Sequence, residues 1–74
     1  MQRDLEALAA SCNAQLDDSH SDPIKLSILS EKFGKVARGF ARQDEPGLAQ
    51  LYFRFSQVAA NKARLEYFLQ NGSN

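Results

Sequence analysis

Apolar residues recur along this chain at helical spacing. Leu5, Leu8, Ala9, Cys12 and Leu16 fall at i, i+3, i+4, i+7 and i+11. That spacing is one face of a helix and predicts the first element over about residues 3–16. A polar connector follows, Asp17-Asp18-Ser19-His20-Ser21. Asp22-Pro23 then announces a second helix over about 23–42. The Asp carboxylate can accept from free backbone N–H groups, and Pro lacks the N–H that would go unsatisfied there. Leu26, Leu29, Phe33, Val36, Ala37 and Phe40 share one stripe of this helix and are its expected core. Gly34 and Gly39 lie inside it. Each costs up to about 1 kcal/mol relative to Ala, so Gly34 points to a close approach by another backbone.

Asp44-Glu45-Pro46-Gly47 turns the chain into a third helix, expected over about 46–70 and stopped by Asn71-Gly72. Leu48, Leu51, Tyr52, Phe55, Val58, Ala59, Leu65 and Leu69 give it a broad apolar face. Phe53, Ala60 and Tyr67 form a second apolar edge roughly opposite. A helix apolar on two sides has to be covered on two sides. The expectation is an all-α, single-domain chain of three helices that completes a four-helix-type bundle by oligomerisation, as a homodimer or homotetramer.

Length sharpens that expectation. A chain of 74 residues hides only about 60% of its unfolded surface when it folds alone. One cysteine rules out an internal disulfide, which leaves tight packing or association as the source of stability. Cys12 lies on the apolar stripe and reads as a small buried hydrophobe, suited to a reducing cytoplasm. No apolar run is long enough to cross a membrane. The acidic start of the chain does not resemble a secretory signal. One Cys and one His cannot build a Cys/His metal cluster.

Net charge is zero, which argues against a dedicated nucleic-acid binder. The charge is unevenly placed, however. Residues 1–31 hold six acids and two bases, and residues 32–74 hold seven bases and three acids. Two halves of one bundle attracting each other account for this simply. The sharper reading is a site for an anion or an acidic partner in the second half. Lys25, Lys32, Lys35 and Arg42 lie on the side of the second helix away from its core stripe, with Glu31 at the margin.

The run from His20 to Arg38 resembles the second helix of MazG-like proteins, the all-α nucleoside triphosphate pyrophosphohydrolases. That helix reads H-x-D-P, a short apolar stretch, then L-x-E-E-x-G-E-V-A. His20-Ser21-Asp22-Pro23 and Leu29-Ser30-Glu31-Lys32-Phe33-Gly34-Lys35-Val36-Ala37 align with it. Phe55-Ser56-Gln57-Val58-Ala59-Ala60, continuing to Leu65-Glu66, is similar to the third helix of the family, E-L-x-Q/D-V-A-A and a later aliphatic–Glu pair. The resemblance covers about residues 20–66. It implies a carboxylate cluster that holds Mg²⁺ against substrate phosphates, and hydrolysis of a nucleoside triphosphate to monophosphate and pyrophosphate.

The chain departs from that pattern at its chemistry. The first glutamate is kept as Glu31, but the next two positions are Lys32 and Lys35. The third-helix glutamate position is Arg54, and the Asp/Gln position is Gln57. A charged ammonium has no lone pair to give a metal. Each cation about 4 Å from a metal charge costs about 4 kcal/mol at an effective dielectric of 20. Glu31 is left as the one metal-ligand candidate.

The resulting expectation is a relative of the family that has lost most Mg-binding carboxylates and serves as a non-catalytic binding or structural module, with no cofactor. The alternatives are an active Mg-dependent hydrolase completed by another subunit, and a binder of nucleotide, acidic protein or nucleic acid. Lys32, Lys35 and Arg54 are the anion-binding candidates, Arg54 able to grip a phosphate with two donors. His20 reads as a solvated connector residue. Tyr52, Phe53, Phe55, Tyr67 and Phe68 read as core or interface before they read as a base-stacking platform.

Overall fold

Local signals set the helix ends. The Asp22 carboxylate accepts from the N–H of Ile24 at 3.0 Å and of Lys25 at 3.2 Å, as the Asp-Pro pair requires. The far end of the same helix closes through its backbone. The N–H of Glu45 reaches the carbonyl of Phe40 at 2.9 Å, and that of Asp44 reaches Ala41 at 3.2 Å. This paired closure needs a left-handed residue just past the cap, and Asp44 supplies it with φ 61°. Asp is one of the few residues besides Gly that tolerate this conformation.

The computed structural model describes residues 2–72. Three helices make up the chain: α1 (Gln2–Asp18), α2 (Pro23–Arg42) and α3 (Pro46–Asn71). The second matches its expected span, and the other two run slightly longer. No strand is present among the described residues. The α3 start differs in detail, because Glu45 caps with its backbone carbonyl alone and makes no side-chain cap bond.

α2 and α3 form an antiparallel hairpin that holds most of the contact between helices, and α1 lies across one side of it. Cys12 and Leu16 of α1 insert against Leu26, Leu29 and Phe33 of α2 and Ala59 and Ala63 of α3. The Phe33 ring tilts against Tyr52 at 5.9 Å and Phe55 at 6.0 Å, and Phe40 stacks on Tyr52 at 5.7 Å.

Small residues let the hairpin close. Gly34 and Ala37 of α2 and Ala49, Ala59 and Ala63 of α3 are buried. At the crossing, Ser30 Oγ donates to the Ser56 carbonyl at 2.9 Å, and Ser56 Oγ donates to the Ser30 carbonyl at 3.0 Å. Each hydroxyl thus satisfies itself on the opposite backbone, which draws the two helices together.

The core is narrower than the sequence stripes predict. Val36, Val58, Leu65 and Leu69 are all exposed, Leu65 and Leu69 by more than half. α1 reaches only one strip of the hairpin, so apolar positions rotated away from that strip meet solvent. The molecule measures 47 × 22 × 13 Å, a depth of only two helix layers.

Candidate functional site

A single helical step of about 100° separates Glu31 from Lys32, and it sends them to different sides of α2. Glu31 is exposed on the groove between α2 and α3, which it lines with Ser27, Arg64 and Tyr67. Lys32 is exposed in a cleft on the α1 side, with Asp18 and Lys25. Lys35 is exposed on the outer surface of α2.

Arg54 and Gln57 flank Ser56 on α3, level with the Ser30–Ser56 crossing, and neither lines the Glu31 groove. They line a shallow depression with Asp44, Gln50 and Phe53 beside the α2–α3 corner. Arg54 also borders a second depression with Leu5 and Leu51. Lys32 and Arg54, two of the anion-binding candidates, therefore belong to different depressions. The cation that shares a groove with Glu31 is Arg64, far from it along the chain.

The residues at the motif positions do not fit Mg²⁺. The ion takes oxygen ligands in octahedral geometry, usually with one or two carboxylates beside the substrate phosphates. Among Glu31, Lys32, Lys35, Arg54 and Gln57 only Glu31 is a carboxylate, and Arg64 faces the same groove. Among the described residues no three His, Cys, Asp or Glu side chains are grouped to hold a metal.

His20 belongs to the connector. Its Nδ1 lies 2.9 Å from the Asp17 carbonyl at the end of α1, and the residue is exposed. Tyr52 and Phe55 pack against the core, whereas Phe53, Tyr67 and Phe68 are exposed. Ile24 and Ile28, one helical turn apart, are also exposed beside Glu31. Their signal in the sequence is an i,i+4 apolar pair set away from the Leu26–Leu29–Phe33 stripe.

Cys12 of α1 is buried in the core cluster, against which the half-buried Tyr52 of α3 packs. Burial pushes the Cys12 thiol above its ordinary value of 9.0, and a hydrogen bond with Tyr52 pulls it partly back. Burial also raises Tyr52 above 10.0, and the charge and hydrogen bond of a Cys12 thiolate raise it further. Both acids lose their protons more readily in the unfolded chain. Their contribution to stability is therefore complete below the unfolded values and is lost as pH rises through the folded ones. Melting temperature is expected to hold up to about pH 9 and then to fall more steeply for the wild type than for Cys12→Ala. Parallel curves for the two proteins in thermal melts across that range would rule out the coupling.

Among the described residues no helix is long and apolar enough to cross a membrane. Comparisons with known protein families, with curated proteins and with solved structures found no match.

Proposed function

We propose that this chain is a non-catalytic helical binding module on a MazG-like frame, active by association rather than hydrolysis. The observation that carries this reading is the chemistry at the motif positions. Of the positions Glu31, Lys32, Lys35, Arg54 and Gln57, only Glu31 brings a carboxylate, and the groove it lines is shared with a cation, Arg64. Such a set repels a divalent metal and lacks a second oxygen ligand beside the first. A cytoplasmic setting suits the single free thiol of Cys12.

The association reading is supported by the apolar surface left open on both sides of α3, from Phe53 and Tyr67 to Leu65 and Leu69. Self-assembly into a homodimer or homotetramer covers such surface. The basic side chains Lys32, Lys35, Arg38 and Arg42 are exposed along α2, which favours an anionic or acidic partner as the second reading.

Pyrophosphate release from a panel of nucleoside and deoxynucleoside triphosphates, with Mg²⁺ or Mn²⁺, tests the proposal. No metal-dependent release above background is expected from either the wild type or Glu31→Gln. Turnover that requires metal and disappears in Glu31→Gln would overturn it.

A further inference from the structure

The chain exposes 5537 Å² of surface. A folded monomer of 8.2 kDa exposes about 4,500 Å² by the usual scaling of area with mass. The surplus of about 1,000 Å² exceeds the roughly 800 Å² that each partner gives up in a standard interface.

Part of that surplus has a definite shape. On the hairpin, the α2–α3 groove is an open trough of about 630 Å³. Its walls carry Ile24, Ile28 and Tyr67, exposed by 71%, 52% and 63%. Ala60, half-buried, adds a small apolar side chain to the lining. Two charges of opposite sign, Glu31 and Arg64, complete the lining.

This composition selects the occupant. One acid and one base give the groove no net charge, so it offers a polyanion or an acidic peptide nothing to steer toward. A two-fold axis, by contrast, sets a surface against itself, and a patch holding one of each sign can then match acid to base twice. Stacking two hairpins through this groove also yields a four-helix arrangement. We propose that a second copy of this chain docks in the α2–α3 groove, with Glu31 of each copy facing Arg64 of the other. The proposal rests on the reading that the chain works by association, and it names the face and the partner.

The exposed strip of Val58, Leu65 and Leu69 is the competing surface. It lies on α3 alone and is interrupted by Lys62.

Sedimentation equilibrium of the 74-residue chain, from low to high micromolar concentration, decides between them. The wild type is expected to dimerise. Ile28→Glu should weaken dimerisation at least about a hundredfold, since it buries an unpaired charge. Glu31→Arg and Arg64→Glu should each weaken it about tenfold or more, and the double reversal should recover most of the loss. These positions are exposed, so far-UV circular dichroism should show unchanged helix content in every variant.

A wild type that stays monomeric throughout would overturn both the proposal and the self-association it rests on. A dimer that survives Ile28→Glu but is broken by Leu65→Glu would overturn the face and leave self-association standing. A dimer sensitive to Ile28→Glu but indifferent to both charge reversals would overturn the proposed pairing.

Discussion

Phe33→Ala is expected to remove about 3–5 kcal/mol of folding stability, the largest loss from any single truncation in this chain. Phe33 is 3% exposed and belongs to the cluster where all three helices meet. Its ring contacts Tyr52 and Phe55 at tilted angles of 58° and 59°, so truncation removes aromatic pairing along with area. The residues around it cannot collapse into the space. Ala59 of the same cluster is too short to fill it, and the serine pair between α2 and α3 fixes the helix separation. A domain has about 5–15 kcal/mol in total, and a chain this small stands toward the low end. The variant should therefore be substantially unfolded at room temperature, read by urea titration with far-UV circular dichroism. Phe53→Ala, at an exposed ring on α3, is the control and should cost less than about 1 kcal/mol. Equal costs for the two would mean that the aromatic cluster is not the core.

The three helices and the stripe Leu26–Leu29–Phe33–Ala37 are legible in the sequence because their signals are local. Asp22-Pro23 and Asp44-Glu45-Pro46 mark starts by their own backbone chemistry, and periodicity marks one face of each helix. The breadth of the covered face is not local. Val36 lies at the margin of the α2 stripe, and whether it is buried depends on where α1 crosses the hairpin. The same holds for Val58 and Leu65 on α3.

The candidate site is only partly legible, for a geometric reason. Periodicity gives the angle of a residue on its own helix, but not the rotation of one helix against another. Glu31 and Lys32 are neighbours in sequence and line different clefts. Arg64, outside the motif positions, lines the groove of Glu31 because α3 returns antiparallel to α2. Several residues that carry the family resemblance also have a packing reason to be small. Gly34 stands opposite Ser56, and Ala37 and Ala59 are fully buried. A closely packed helical hairpin asks for such residues whatever chemistry its surface performs.

That packing reason leads to opposite expected results at one position. A methyl group at Gly34 would lie 3.5 Å from Ser56 Oγ and 3.6 Å from Arg38 Nη1, both ordinary contact distances. Ala also lowers the backbone entropy lost on forming the helix, so Gly34→Ala should stabilise the chain by about 0.5–1 kcal/mol. Gly34→Leu has no such room. Its branch must displace Ser56, and with it the bonds of 2.9 and 3.0 Å that tie Ser56 to Ser30. Overpacking costs about 1–3 kcal/mol, and each lost hydrogen bond about 1 kcal/mol more. A net loss of about 2–4 kcal/mol is expected for Gly34→Leu. Urea titrations of the three proteins provide the measurement. A loss above about 1 kcal/mol for Gly34→Ala would mean that α2 and α3 approach more closely than a methyl allows. A Gly34→Leu variant as stable as the wild type would mean that the serine pair does not hold the crossing.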